Sequence, residues 1–266
     1  MTLNRLIGHA LADMRGISPL IHCITNYVTA GDTANMLLSA GASPIMADDP
    51  SESAEITALA NGLTLNLGTP SQSRIEAMLS SGEEANRRGI PVIFDPVGVG
   101  CSEFRRNSAA DITKHVKLTA VRGNLSEISY LAGFDTRENG VDSSETMISP
   151  QEAAQTAARR LGCICAVTGV YDVISDGNRT AVIHNGTPNL RRITGAGCMT
   201  SALCAAFCAA SNGFVGTAAG IAFMDICGEL AAERSGLPGS LRASLFDFAG
   251  SMTPDILAER LKIDES

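Results

Sequence analysis

The sequence predicts a three-layer α/β/α fold, in which a central, mainly parallel sheet carries helices on both faces. Short apolar runs alternate with amphipathic stretches along the 266 residues, as in successive βαβ units. Glycine is abundant, at 26 residues, which suits many tight turns between strands and helices. No Gly/Pro/Ser-rich linker and no internal repeat interrupts the pattern. We therefore expect one domain over residues 1–266, without a separate lid domain.

Helical periodicity and apolar runs alternate through the first half of the chain. Residues 3–14 place their apolar side chains on one helical face, with Thr2 as the predicted N-cap. A second predicted helix, residues 30–40, ends at Gly41, a residue type favoured just after a helix. Further helices are predicted near 51–60 and 71–88, and the predicted strands are PLIHCIT, SPIM, LTLNLG and IPVIFDP.

The second half continues this alternation as far as a β-hairpin. After a further helix, the strand LTAVRGN leads into a short helix near 125–132. The polar stretch 135–149 separates that helix from one that opens at Ser149-Pro150, because proline is favoured in the first helical turn. The strand CICAVTG follows, and DVISDGNRTAVIH predicts a hairpin around Asp176-Gly177.

One stretch without charged side chains, residues 193–224, is long enough to test for a membrane span, which needs only about 20 apolar residues. Residues 211–213 (Ser-Asn-Gly) break the stretch, and small side chains dominate it. We expect two short helices buried against the sheet, and no membrane partner. Asp13 and Arg15 interrupt the first apolar stretch, so no signal peptide is predicted and a cytoplasmic location is expected.

Composition argues against two classes of function. The net charge is −8 and lysine is scarce, so the chain lacks the basic stripe that a nucleic acid requires. The pairs Arg87-Arg88, Arg105-Arg106 and Arg191-Arg192 are typical of solvated helix ends. The 8 cysteines include no C-x-x-C pair and there are only 4 histidines, which argues against a zinc site and fits reduced thiols.

Polar residues stand at the ends of several predicted strands, where open parallel sheets bind their ligands. IPVIFDP ends with Asp95 and its proline, LTAVRGN carries Arg122, and CICAVTG ends in Thr168 and Gly169. Glu127 lies in the first turn of the helix after the Arg122 strand, and together with Asp95 it could hold Mg²⁺, partly through water. Glu127 also fits a simpler role, because the helix dipole favours an acid in the first turn.

Gly195-Ala196-Gly197-Cys198 begins a helix and is a candidate anion site. Two glycines at a helix start let the backbone approach an anion closely, and the free N–H groups point towards it. An ordinary glycine-rich turn before a buried helix has the same pattern, so these residues alone leave both interpretations open. The sequence has no Walker A loop, no G-x-G-x-x-G near its N-terminus and no G-x-S-x-G.

Longer motifs resemble one known family. HCITNYVTAGDTANMLLSAGASPIM, FDPVGVG, RGNLSE, VTG and TGAGC are similar, in this order and across nearly the whole chain, to hydroxyethylthiazole kinases, which have the ribokinase-like fold. The resemblance implies ATP-dependent phosphorylation, with Mg²⁺, of the side-chain hydroxyl of 4-methyl-5-(2-hydroxyethyl)thiazole in thiamin salvage. It also implies a homotrimer with its thiazole sites between neighbouring subunits.

The resemblance also assigns residues to the thiazole. Met46 and Gly195 would contact it, with Asn26 and Val28 nearby. From its residue type alone, Met46 would rather be a gap-filler in the core. His22, next to a cysteine in a predicted strand, is expected to be structural.

For the nucleotide and metal, the resemblance points to the strand ends and the glycine motif. Arg122 and Thr168 would contact the ATP phosphates, with Gly197 beside them, and Asp95 and Glu127 would serve the metal.

Cys198 stands where most ribokinase-like kinases have an aspartate base, which makes its thiol the candidate proton acceptor. A helix N-terminus lowers a thiol pKa from about 8.5, so we expect partial thiolate at neutral pH. In a loose phosphoryl-transfer transition state the hydroxyl gives up its proton late, so a weak base suffices.

Three alternatives stay open on the sequence. Another ribokinase-like kinase would phosphorylate a different heteroaromatic alcohol, for example a pyrimidine alcohol. An ATP- or ADP-dependent hydro-lyase of the same fold, acting on a nicotinamide hydrate, would need an acid where Cys198 stands. A non-catalytic sensor would have no need of Asp95, Glu127 and Arg122 together.

Overall fold

The computed structural model describes residues 2–134 and 148–265, and in these ranges it contains a nine-stranded sheet. Its strands are β1 (Leu20–Ile24), β2 (Ser43–Ile45), β3 (Gly62–Asn66), β4 (Val92–Asp95), β5 (Ala120–Gly123), β6 (Ile164–Val167), β7 (Asp172–Ser175), β8 (Thr180–Ile183) and β9 (Ile263–Glu265). They lie in the order β2-β1-β3-β4-β5-β6-β7-β8-β9. Neighbours from β2 to β6 are parallel, and those from β6 to β9 are antiparallel. This confirms the predicted mainly parallel sheet.

Helices cover both faces of the sheet, which confirms the three-layer prediction. They are α1 (Leu3–Ile17), α2 (Ala30–Ala40), α3 (Ser53–Leu59), α4 (Gln72–Arg88), α5 (Glu103–His115), α6 (Leu125–Ala132), α7 (Pro150–Leu161), α8 (Ala196–Ala210), α9 (Gly213–Arg234), α10 (Pro238–Ser251) and α11 (Pro254–Arg260). One hydrophobic cluster joins the sheet to α1, α2 and α8 to α11, and a second joins it to α4 to α7. Ile93 and Phe94 are consecutive on β4 and belong to opposite clusters, because side chains alternate across a strand.

The uncharged stretch forms α8 and most of α9, separated by Ser211 and Asn212 as predicted. The second helix has 22 residues, so it is longer than expected, and by length and hydropathy it would qualify as a membrane span. However, 89% of its most apolar window is buried inside the protein, which identifies it as a core helix. Its glycines explain the close packing, since a Cβ at Gly216 or Gly220 would come within 2.6 Å of the α8 backbone at Cys208 or Cys204.

Several local predictions need correction. Thr2 occupies the N-cap position of α1 but makes no side-chain capping hydrogen bond. The sequence patterns gave no indication of α10, α11 or the three-residue strand β9, which extends the sheet by pairing Ile263 with Ile183. Ser149 does cap α7, by accepting a hydrogen bond from the Glu152 N–H at 3.1 Å. The rest of the polar stretch, residues 135–147, lies outside the described residues.

The predicted hairpin is present, with β7 and β8 paired from Asp172 and Ile183 to Ser175 and Thr180. Gly177 takes a φ of 94° in its turn, a conformation that favours glycine.

The strand order brings the ends of β1, β3 and β4 together. The chain runs from β1 outward to β2 and then crosses back past β1 to β3. These two connections run in opposite directions along the sheet, and they open a crevice at the carboxyl ends of the strands. Ligands of open parallel sheets bind in such crevices.

Candidate active site

Polar side chains from three strand ends meet beside the start of α8. Asn66 and Asp95 end β3 and β4 and are register partners on these parallel strands. Asn26 follows the end of β1 by two residues, and Cys198 lies in the first turn of α8. The side chains of Asn26, Asn66 and Asp95 are all buried.

The sulfur of Cys198 accepts hydrogen bonds from two side-chain amides. Asn26 Nδ2 donates to Sγ at 3.2 Å, and Asn66 Nδ2 donates at 3.3 Å. Asn26 Oδ1 in turn accepts from the Thr29 N–H at 3.1 Å and the Thr29 hydroxyl at 3.0 Å. Asn26, predicted to lie near the thiazole, therefore has partners inside the protein for both ends of its amide.

The predicted lowering of the Cys198 thiol pKa is wrong. Burial raises the pKa of this thiol and the nearby Asp95 carboxylate raises it further, whereas hydrogen bonds from Thr29, Asn26 and Asn66 oppose the change. Loss of water and a neighbouring negative charge thus outweigh the helix N-terminus. The sulfur is mainly a neutral thiol at pH 7.

Asp95 is 1% exposed and lacks full charge compensation. Its Oδ2 accepts a 2.8 Å hydrogen bond from Ser201 Oγ, and Arg122 Nη1 lies 4.0 Å from the same oxygen. Burial raises the pKa of Asp95 to about 6, although Arg122 opposes this and the Glu127 carboxylate adds to it. A cation beside Asp95 would remove this excess of negative charge.

Glu127 has a structural role in α6. Its Oε2 accepts from the Asn124 N–H at 2.8 Å while the Asn124 side chain accepts from the Glu127 N–H, which forms a capping box. The other carboxylate oxygen, Oε1, accepts from the Gly98 N–H at 2.9 Å. The simpler interpretation of Glu127, as a first-turn acid, therefore holds whether or not the residue also serves a metal.

Arg122 and Thr168 line a cavity of about 610 Å³ that opens beside α8. Arg122 Nη2 donates to Thr168 Oγ1 at 2.5 Å, while the buried Arg122 Nε has no hydrogen-bond partner among the described residues. Gly195 and Gly197 line the same cavity. The structure thus brings four of the predicted site residues to one space, with Asp95 on the other side of the Arg122 guanidinium.

Both glycines of the Gly195-Ala196-Gly197 motif lie close against neighbouring side chains. Gly195 has a φ of 85°, and a Cβ there would lie 2.5 Å from Thr29 Cγ2. A Cβ at Gly197 would lie 2.6 Å from Arg122 Nη1. The motif therefore gives Arg122 its place against the first turn of α8, in addition to exposing backbone N–H groups.

A buried pair of acids, Asp172 and Asp225, lines the same cavity and was missed in the sequence. Asp225 Oδ2 is buried and has no hydrogen-bond partner among the described residues. Burial raises the pKa of both, and the Asp172 charge raises that of Asp225 still more. The Asp172 carboxylate also accepts a 2.8 Å hydrogen bond from the Gly169 N–H.

Met46 and Val28 lie apart from this cavity, on the surface. Val28 is 58% exposed and Met46 is 37% exposed, so Met46 is no core gap-filler in the single chain. His22 is structural, as predicted, because its ring nitrogens contact Thr57 Oγ1 at 2.8 Å and the Ala47 carbonyl at 2.7 Å. That second contact fixes the backbone directly after Met46.

Two kinds of signal could have revealed the missed residues. Asn66 ends a buried strand, as Asp95 does. The sequence pattern placed the end of that strand at Gly68, two residues further along, so Asn66 was not recognised as a strand-end residue. Asp225 is the first charged residue after the apolar stretch, in the interior of a buried helix, where an acid needs a specific partner. For Ser201, one helical turn after Gly197, we find no sequence signal.

The fold is that of ribokinase-like proteins. A ribokinase-like superfamily protein from Enterococcus faecalis has the same fold, with a TM-score of 0.65 at 11% identity over 90% of this chain and 89% of its own. A hydroxyethylthiazole kinase structure from Pyrococcus horikoshii is more similar, with a TM-score of 0.89 and 35% identity over 98% of both chains.

Sequence comparison narrows the class to one family. Residues 11–255 match the profile of the Hydroxyethylthiazole kinase family. A hydroxyethylthiazole kinase from Clostridium beijerinckii is 44% identical over 97% of each chain. The chain belongs to the hydroxyethylthiazole kinase family.

Asp225→Asn should stabilise the protein most at high pH. Because the pKa of Asp225 is raised in the folded state, stability is highest below the ordinary carboxyl range and falls as pH rises towards the folded pKa. The amide would donate to Asp172 without any proton uptake. We expect a gain of about 1–3 kcal/mol at pH 8 and a smaller one at pH 5, measured by urea unfolding.

The matched control is Asp13→Asn on the exposed side of α1, which should leave stability nearly unchanged at both pH values. A gain for Asp225→Asn that is equal at pH 5 and pH 8 would contradict the raised pKa of Asp225.

Proposed function

We propose that this chain, acting as a single kinase domain over residues 1–266, transfers the γ-phosphoryl group of ATP to the hydroxyl of 4-methyl-5-(2-hydroxyethyl)thiazole. Membership of the family supports the substrate pair, and one geometric observation carries the chemistry. Arg122 lines the cavity, and its guanidinium lies 4.0 Å from Asp95 and close to Gly197 in the first turn of α8. A guanidinium and a helix N-terminus directed at one space stabilise a transferring phosphoryl group.

The cavity has the size and lining expected for ATP. A volume of about 610 Å³ falls within the range of small-molecule sites. Its polar end carries Arg122, Thr168 and Gly197, which we assign to the phosphates. Apolar side chains, including Ile221 and Met224, line another part and would cover the nucleoside.

Mg²⁺ fits beside Asp95 and Glu127. Burial raises the pKa of Asp95, which indicates that this carboxyl group lacks a compensating positive charge. The Glu127 carboxylate is close enough to raise the pKa of Asp95 further. Mg²⁺ commonly binds through one or two carboxylates plus water and phosphate oxygens, so a larger cluster of protein ligands is unnecessary. When bound, the cation would neutralise charge on the transferring phosphoryl group.

The thiazole site is assigned to Met46 and Gly195, with Asn26, Val28 and Cys198 beside them. Tyr27, Val28 and Met46 are exposed by 76%, 58% and 37% in the single chain, which is unusual for apolar residues near a substrate. Coverage by a neighbouring subunit would explain this exposure, and we propose a homotrimer on the strength of the family resemblance. All 8 cysteines are free, which supports a cytoplasmic location.

The decisive experiment is product analysis. The purified protein is incubated with Mg-ATP and the thiazole alcohol, and mass spectrometry should detect the thiazole phosphate ester and ADP. A pyrimidine alcohol serves as the competing acceptor. Phosphorylation of that alcohol in preference to the thiazole would overturn the substrate assignment while leaving the kinase class intact.

Activity should require a divalent cation and both acids. Asp95→Asn and Glu127→Gln remove the charges proposed to hold it, so each should lower kcat severely, by about 10²-fold or more. Glu84→Gln on α4, whose carboxylate pairs with Arg87 on the surface, is the matched control and should remain active. Full wild-type activity in excess chelator would contradict the metal role.

The protein should be an oligomer in solution. Light scattering should give about three times the subunit mass of 27.6 kDa. Val28→Asp places a charge on the exposed apolar surface and should weaken assembly and activity together. A wild-type monomer that is fully active would exclude a site shared between subunits.

The Cys198 thiol should contribute without being an obligatory base. Since the raised pKa leaves little thiolate at pH 7, Cys198→Ala should lose less than the roughly 10²–10⁴-fold typical of general-base catalysis. Cys198→Asp should be at least as active as wild type, because the two amide N–H groups on Sγ can donate to a carboxylate. The measurement is kcat across pH 6–9, with binding of both substrates determined separately. An inactive Asp variant that still binds both would show that this account is wrong.

A further inference from the structure

The amide of Asn66 is held in one orientation by two donors to its oxygen. Asn66 Oδ1 accepts from the Gly68 N–H at 2.8 Å and from Asn26 Nδ2 at 3.1 Å. Nitrogen in that position could not accept these bonds, so the network fixes the amide assignment. The Asn66 nitrogen therefore faces away from Asn26 and towards the start of α8.

The nitrogen of Asn66 reaches the candidate proton acceptor of the proposed reaction. It donates to Cys198 Sγ at 3.3 Å. Asp95, the candidate metal-binding acid, is the register partner of Asn66 on the neighbouring strand β4. A single buried side chain thus holds the candidate proton acceptor next to the strand end that carries Asp95.

Hydrogen bonding restricts the direction from which a substrate hydroxyl can approach the sulfur. Asn26 and Asn66 occupy two acceptor directions of Sγ, so only the remaining side of the sulfur is free. Asn66 differs from Asn26 because it ends β3 as the register partner of Asp95, whereas Asn26 lies in the loop after β1. The hydrogen bond from Asn66 to Sγ therefore relates the Cys198 sulfur to the strand end that carries Asp95.

We propose that Asn66 is a positioning residue for phosphoryl transfer, whose amide holds the Cys198 sulfur in place beside the end of β4. This inference rests on the proposed kinase function. Asn66 need not touch either substrate, so its loss should slow the chemical step and leave substrate binding unchanged.

Asn66→Asp tests this because the side chain keeps its shape and its Oδ1 but exchanges both donor N–H groups for an oxygen. We expect kcat to fall by roughly 3- to 10-fold, the usual effect of losing a hydrogen bond to a neutral group, with KM for both substrates within about threefold of wild type. Asn61→Asp is the matched control, since Asn61 lies just before β3 and its Oδ1 merely accepts from the Leu20 N–H at 2.9 Å. Asn66→Ser provides a second variant if Asn66→Asp does not fold.

A readout that requires no catalysis separates this inference from the proposed function. The proteins are treated with iodoacetamide at one pH, and alkylation of Cys198 and of the exposed Cys101 is followed by peptide mass spectrometry. A carboxylate at position 66 disfavours the reactive thiolate, so Asn66→Asp should slow alkylation of Cys198 at least threefold and leave Cys101 unchanged.

The outcomes are distinct. If the wild-type protein forms no phosphate ester, the proposed function fails, and the alkylation rate still decides whether Asn66 governs the Cys198 sulfur. If wild type is active and Asn66→Asp retains kcat within twofold, the positioning role is overturned, whatever its alkylation rate. Equal losses in Asn61→Asp would overturn it too.

Discussion

The carboxyl group of Asp95 lies at the end of β4 with 1% of the residue exposed, and it keeps a negative charge there only with help from its neighbours. Ser201 supplies a hydrogen bond, and Arg122 supplies a positive charge at 4.0 Å. The Arg122 guanidinium lies close against Gly197, which has no side chain. The strand end, the helix start and the glycine motif therefore depend on one another through a single buried acid.

The position of the candidate site at the start of α8 also explains why α8 and α9 are so apolar. A helix that begins among polar active-site groups must continue into the middle of the protein, where it packs against the sheet and another helix. Close packing there uses Gly216 and Gly220 against the α8 backbone, and it leaves no room for long side chains. Sequence hydropathy alone cannot distinguish such a pair of core helices from a membrane segment, whereas the break at residues 211–212 can.

Much of the fold follows from local sequence patterns. Apolar runs and helical periodicity identify the parallel strands and helices up to the hairpin, since each βαβ unit carries its own signal. The C-terminal elements are different, because β9 has only three residues and its place depends on pairing with β8.

The sequence predicted only those site residues that can be recognised from their own position in the pattern of strands and helices. Asp95, Arg122, Thr168 and Gly197 stand at strand ends or a helix start, and the structure brings them close together. The Cys198 thiol pKa was not predictable, because it depends on burial and on the distance to Asp95, neither of which a sequence displays. The Asp172–Asp225 pair joins β7 to α9, and only the folded chain shows that contact.

Charge balance in the cavity provides a last physical argument about the nucleotide. Arg122 lowers the pKa of Asp95, Asp172 and Asp225, so one guanidinium already compensates several buried acids. Burial raises the pKa of Asp172 and Asp225, which favours their neutral forms, and Asp95 accepts a hydrogen bond from Ser201. Arg191 also lines the cavity, so Arg122 is not its sole guanidinium. Under the proposed function, a cation bound with the nucleotide would supply the positive charge that Asp95 lacks.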